Sequence, residues 1–180
     1  MIYLFLATGF EDIEAIAPVD ILRRAGQRVE TVSITGERVV TTAHGVGVVA
    51  DRLIEDINFD DAELLILPGG MPGASNLDAC EALRQGILRH HAAGRPLAAI
   101  CAAPSIFAQL GLLNGKKASV HPSFETKMTG CVVTHKSVTV DGNLTTGQAL
   151  GAAIPFALEL ARQLEGEEAA ARVAKAICRQ

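Results

Sequence analysis

The sequence has no Cys-x-x-Cys pair: its four cysteines, Cys80, Cys101, Cys131 and Cys178, lie far apart. That spacing suggests neither a zinc site nor a redox dithiol, and scattered thiols of this kind suit a reducing compartment. No lysine or arginine cluster stands out, and the formal net charge is −4. Both facts argue against nucleic acid or an anionic membrane surface as the main partner. Long apolar runs are also missing. The opening Met1-Ile2-Tyr3-Leu4-Phe5-Leu6-Ala7 stops at Thr8-Gly9, too soon for a membrane span, and lacks a basic flank or a cleavage signature. It reads as a buried strand of a cytoplasmic protein. Repeats, low-complexity tracts and linkers are absent, so a single domain over residues 1–180 is expected.

What is present is an alternation of short apolar runs with longer helical patterns. Strands are expected at 2–7, 28–34, 63–67, 97–100 and 117–120, with a hairpin of Val39-Val40 against Val46 to Val49. Further strands near 131–134 and 137–140 precede Asp141-Gly142, a hairpin turn into 143–146. Helices are expected at 13–25, 78–93, 103–112, 150–164 and 167–177. Strands interleaved with helices in this way predict an α/β, doubly wound three-layer sandwich around a mostly parallel sheet. In such folds ligands sit outside the carboxyl ends of the strands. Three loops leave strands there: Thr8 to Ile13, Pro68 to Asn76, and the turn at Cys101.

Cys101 lies in Leu97-Ala98-Ala99-Ile100-Cys101-Ala102-Ala103-Pro104-Ser105, where a strand turns into a helix within a residue or two. A strand–nucleophile–helix elbow has this form, although Gly-x-Ser-x-Gly is absent. Backbone N–H groups and the helix dipole there would lower the thiol pKa. A buried core cysteine fits the local sequence equally well. Glu14 heads the apolar face Ala17, Pro18, Ile21 and Ala25, so its carboxylate is expected to be desolvated and suited to moving protons. His121, in Val120-His121-Pro122-Ser123, follows a strand and can reach the same edge as a partner for the thiol. Pro68-Gly69-Gly70-Met71-Pro72-Gly73 matches neither Gly-x-Gly-x-x-Gly nor the Walker pattern. Its amides suit an anion instead, with Gly70 and Ala102 as oxyanion donors beside Cys101. His90-His91 place their rings on different helix faces, a poor metal site. Between Ile13 and Leu22 only Glu14 and Asp20 are polar, so the first helix is expected to be covered by a second subunit in a homodimer.

Gly9-Phe10-Glu11-Asp12-Ile13-Glu14 with Pro18-Val19-Asp20, then Leu67-Pro68-Gly69-Gly70, Asn76-Leu77, Ala99-Ile100-Cys101-Ala102-Ala103-Pro104 and His121-Pro122 resemble the ThiJ/PfpI superfamily. The resemblance spans nearly the whole chain and is closest to the branch containing the human Parkinson-disease deglycase and its bacterial relatives. It implies a flavodoxin-like homodimer with a reactive Cys101 at a strained elbow, Glu14 as its partner, His121 nearby, and Asp20 approaching that histidine across the dimer. It implies cofactor-free glyoxalase or deglycase chemistry on a small aldehyde or a glycated substrate, or a role as oxidative-stress sensor or chaperone. Some related sequences carry a thiazole-biosynthesis label. Neither cofactor nor metal is implied. Protease members place histidine directly after the cysteine, where this chain has Ala102, and glutamine amidotransferases need a His-x-Glu near the C-terminus that is absent here. Neither activity is therefore expected. Three positions depart from the branch. His44 stands where it has arginine, Thr146-Gly147-Gln148-Ala149-Leu150 replaces a Ser-Arg-Gly-Pro-Gly segment, and Ala103 replaces a glycine.

Overall fold

The apolar runs form the centre of the structure, a computed structural model that describes residues 1–179. The chain runs β1 (Ile2–Leu6), α1 (Asp12–Arg24), β2 (Val29–Ser33), β3 (Val39–Thr41), β4 (Gly47–Val49), β5 (Arg52–Leu53), β6 (Leu64–Leu67), α2 (Gly73–Ala79) and α3 (Glu81–Ala92). It continues through β7 (Leu97–Ile100), α4 (Pro104–Gln109), β8 (Lys117–Ala118), β9 (Val132–Val133), β10 (Val138–Asp141), β11 (Leu144–Gly147), α5 (Ala153–Glu165) and α6 (Glu167–Ala176).

Seven strands make one sheet in the order β10-β11-β7-β6-β1-β2-β5, parallel except for β10, which pairs antiparallel with β11 across Asp141-Gly142. β1, β6 and β7 are buried along their whole length, as parallel strands covered on both faces must be. Their side chains alternate between two cores. Tyr3, Phe5, Leu65, Leu67 and Ala99 join the residues of α3 and α4, whereas Ile2, Leu4, Leu6, Ile66 and Ile100 meet α1 and α5. The fold is thus the expected three-layer flavodoxin-like sandwich. Among the described residues no helix is long and apolar enough to cross a membrane.

Several expected elements change at their ends. The single helix at 78–93 is two helices, because Cys80 is extended (φ −79, ψ 101) and serves as the joint between α2 and α3. Asp78 and Arg84 form an ion pair across that joint. β8 stops at Ala118 rather than residue 120, and α4 covers only Pro104–Gln109. Beyond β8, Ser119 is fully buried, its N–H donating to Thr146 Oγ1 (2.8 Å) and its hydroxyl 2.7 Å from Thr139 Oγ1. This hydroxyl cluster ties the segment leading to His121 onto β10 and β11.

Candidate functional site

The turn after β7 brings Cys101 to the carboxyl edge of the sheet with φ 64, one of three non-glycine residues with positive φ among those described. A side chain in this left-handed region costs energy that the surroundings must offset. Three backbone hydrogen bonds hold the elbow: Cys101 N–H to Gly147 O (3.0 Å), His121 N–H to Cys101 O (2.9 Å) and Ala103 N–H to Ile100 O (3.1 Å). The strained elbow is therefore clamped by β11 on one side and the His121 segment on the other.

Glu14 comes from the first turn of α1 and is 1% exposed. Its Oε2 accepts the Gly69 N–H at 3.0 Å, and the carboxylate also accepts from the Cys101 thiol. Pro18 lies inside α1 and has no N–H, so the helical hydrogen bond to the Glu14 carbonyl is missing one turn above the thiol. Gly69 is the residue that lets the two groups meet. A Cβ there would lie 2.6 Å from Cys101 Cβ and 2.6 Å from Glu14 Oε2. Gly70 (φ +84) has its open side packed against the backbone of Phe10 and Glu11, and Glu11 N–H returns a hydrogen bond to Gly69 O at 3.0 Å. Asn76 completes the clamp by donating from Nδ2 to Thr8 O at 2.8 Å. Two of the three predicted edge loops are thus stitched together over the thiol.

The electrostatics differ from the expectation for Cys101. Burial, the facing Glu14 carboxylate and the hydrogen bond to it push the thiol up to about 12, while the N–H groups of Gly70 and Ala102 pull the other way. The helix-end argument is overturned because α4 has only six residues and begins three positions after the cysteine, leaving two amides against burial and a nearby negative charge. For Glu14 the expectation of desolvation is met. Burial raises it to about 7, against the lowering effect of the Cys101 and Gly69 hydrogen bonds. Below about 7 the pair holds two protons; above it one remains, on the thiol, and a second negative charge in this space is costly.

The remaining predicted residues lie at different removes. Gly70 and Ala102 direct their N–H groups at the Cys101 sulfur, the positions an oxyanion would use. His121 approaches through its backbone, while its ring is engaged by its own turn, with Nδ1 2.7 Å from Ser123 Oγ and accepting Ser123 N–H at 3.3 Å. Asp20 is exposed and paired with Arg24 at 2.8 Å. His44 reaches the rim across the Phe10–Thr42 bridge, its Nδ1 3.0 Å from Asp12 Oδ2 and 3.7 Å from Glu11 Oε1. Its hydrogen bond to Asp12 and the charges of Glu11 and Asp12 raise the His44 pKa. The ligand atoms of these three residues fall within 4.8 Å of one another, and the imidazole ties the two acids together as a small ion-pair group. Gly69 and Asn76 were visible in the quoted motifs, but their parts in the site depend on contacts that sequence spacing does not carry.

The sequence and the fold have counterparts among known proteins. A model of the DJ-1/PfpI family matches residues 1–163. Protein dj-1beta of Drosophila melanogaster is 32% identical over 97% of this chain and 94% of its own length. Protein DJ-1 homolog B of Arabidopsis thaliana is 38% identical over 93% of this chain, which spans only 39% of that longer relative. Among solved structures, oxidized Toxoplasma gondii DJ-1 superposes with a TM-score of 0.95 at 34% identity, over 99% of this chain and 97% of the other. Drosophila DJ-1beta gives a TM-score of 0.96 at 31% identity, over 99% and 97%.

Proposed function

The chain belongs to the DJ-1/PfpI family, and on that premise we propose that it is a cysteine-dependent glyoxalase or deglycase acting on reactive aldehydes and their adducts. The observation that carries this reading is the hydrogen-bonded pair of Cys101 with a buried Glu14 whose pKa lies at about 7. A thiol held near 12 is inert as a free nucleophile, but a carboxylate near 7 alongside it is a base placed to take its proton during attack.

On an α-ketoaldehyde the steps follow from these groups. The sulfur bonds to the aldehyde carbon as its proton passes to Glu14, and the new alkoxide is received by the Gly70 and Ala102 N–H groups. Once the alkoxide takes up that proton, the ionised Glu14 removes hydrogen from the former aldehyde carbon. It returns this hydrogen, as a proton, to the adjacent carbon while the hydroxyl proton passes to the neighbouring oxygen, leaving a 2-hydroxy thioester on Cys101. Water cleaves the thioester, releasing a 2-hydroxy acid and restoring the thiol. No electrons leave the substrate, because one carbon is oxidised as its neighbour is reduced. His121, anchored by Ser123, orients the elbow through its N–H bond to the Cys101 carbonyl.

The test is conversion of methylglyoxal to lactate by purified protein. Turnover is expected in the wild type and none above background in Cys101→Ala; equal rates in the two would refute the reading. The apparent kcat/KM should also rise with pH through about 7, as Glu14 loses the proton that prevents it from acting as base.

The same pocket supports a second reading as an oxidation sensor, since the Gly70 and Ala102 amides that face the sulfur suit a sulfinate equally well. With Glu14 again taking the thiol proton as the sulfur attacks, mild peroxide should then oxidise Cys101 ahead of Cys80, Cys131 and the exposed Cys178. Similar oxidation at all four would exclude a sensor role.

We also infer a homodimer through α1. Ile13 and Ile16 remain 48% and 42% exposed, and Ile16 lines a shallow groove with Val19, Val48 and Val49. Sedimentation at micromolar concentration should report twice the chain mass, and a monomer would overturn this inference.

A further inference from the structure

At the opposite end of the sheet from Cys101, around the amino ends of β1 and β2, lies a cavity of about 540 Å³. Arginines from four separate segments line it: Arg23 of α1, Arg28 of the loop into β2, Arg38 ahead of β3, and Arg52 of β5. Only two carboxylates, Asp51 and Glu30, share the lining. In a chain whose formal charge is −4, this concavity has the reverse sign.

The four guanidiniums are not equivalent. Arg23 is fixed, donating from Nε and Nη2 to Val29 O (3.2 and 2.8 Å) and from Nη2 to Asp51 (2.9 Å). Asp51 is itself held by Thr31 N–H and the Thr31 hydroxyl, both at 2.9 Å. Arg52 pairs with Glu30 at 3.2 Å. Arg28 and Arg38 have no carboxylate within ion-pair distance among the described residues, so their donor forks are left for a ligand. Both guanidiniums line the one hollow, so an anion seated there meets two cations at once. Guanidinium forks match phosphate oxygens two at a time.

We propose that this arginine-lined cavity binds a small phosphorylated metabolite, with Arg28 and Arg38 as the principal contacts. The volume lies within the roughly 300–1,000 Å³ usual for small-molecule sites. The polar lining selects a ligand that is mostly headgroup. An adjoining hollow of about 300 Å³ shares Arg28, Glu30 and Arg52 and adds Asp56 and Asp61. That acidic flank disfavours a long polyanion such as RNA, which would have to cross it.

The test is calorimetric titration of the full chain with inorganic pyrophosphate, with ionic strength held constant by potassium chloride. Saturable binding is expected in the wild type. The affinity should fall at least about tenfold in Arg28→Ala/Arg38→Ala and stay within about twofold in Arg24→Ala, whose side chain lies outside the cavity. Arg28→Lys/Arg38→Lys, which keeps the charge but loses the forks, should give an intermediate loss and guards against misfolding of the alanine variant. Cys101→Ala should bind as the wild type does, so the outcome is independent of the aldehyde reading. The proposal is overturned by an absence of saturable binding, by equal affinity in wild type and both double variants, or by tighter binding of a single-stranded oligonucleotide than of pyrophosphate.

Discussion

Glu14 and Asp51 stand at opposite ends of the same sheet, and each accepts one backbone N–H, from Gly69 at 3.0 Å and Thr31 at 2.9 Å. Their acidities nonetheless move in opposite directions. Burial lifts Glu14 to about 7. For Asp51, partial burial acts upward, but Thr31 and the Arg23 guanidinium together hold it below the ordinary carboxylate value. A single amide donor therefore does not decide what a carboxylate does in this fold; the depth of burial, a second donor such as the Thr31 hydroxyl, and a counter-cation do. The carboxyl end is glycine-lined, its acid is buried and, among the described residues, has no cation beside it, which suits the carboxylate to the proton handling proposed for it. The amino end is wet and arginine-rich, so its carboxylate is a permanent charge that orients a neighbour.

The strongest way to break this contrast is to remove the titrating group at the dry end. Glu14→Gln should lower methylglyoxal turnover by about 10²–10⁴-fold, the range expected for loss of a positioned acid–base group. Stability should move the other way. A folded-state pKa raised from 4.5 to about 7 means that the native protein holds a proton the unfolded chain has already released. Glu14 therefore costs nothing below the ordinary carboxylate range and destabilises progressively as pH rises through about 7. Urea unfolding should show Glu14→Gln gaining on the wild type by up to about 3 kcal/mol between pH 4 and pH 8, and an unchanged gap would contradict the assignment. Next in size is Gly69→Ala, which leaves both reacting groups in place but inserts a methyl 2.6 Å from each. It should destabilise by about 1–3 kcal/mol and depress turnover by at least about tenfold, because pair and methyl cannot share the space. Near-normal kinetics would mean that the Glu14–Cys101 contact is dispensable.

How much of this was readable from the chain varies with the range of the forces involved. The buried strands of the sheet were legible because runs such as Leu64-Leu65-Ile66-Leu67 are apolar on both faces, a pattern set within four residues. Glu14 was legible for the same reason, as a polar break at the head of an apolar stripe. The joint at Cys80 was not, since neither glycine nor proline marks it, and β5 is a two-residue strand too short for any periodicity. The rise of the Cys101 pKa was missed because the local elbow promises amides and a helix dipole. The opposing burial and carboxylate come from α1, far away in sequence. The engagement of the His121 ring by Ser123 likewise depends on a turn conformation that His-Pro-Ser does not dictate.

The smallest expected effect belongs to the wet end, and it sharpens the contrast by its sign. Asp51 has its folded pKa below the ordinary value, so the stability it supplies is present above the unfolded carboxylate pKa and is lost as pH falls through the folded one. That slope is opposite to the slope from Glu14. Asp51→Asn keeps an acceptor for the Thr31 N–H and loses chiefly the charge attraction to Arg23, across a pair whose side chains are 49% and 42% exposed. Solvent screening at that exposure limits the loss to about 1 kcal/mol or less at neutral pH, and raised salt should shrink it further. The gap between wild type and Asp51→Asn should close as the pH is lowered below about 4, where the gap between wild type and Glu14→Gln is already flat. Methylglyoxal turnover should be unchanged, because nothing at this end touches the Cys101 pair. If Asp51→Asn instead showed a loss that grew toward low pH, the two ends would be responding to one shared rearrangement, and the division into a dry proton-handling end and a wet charge-pairing end would fail.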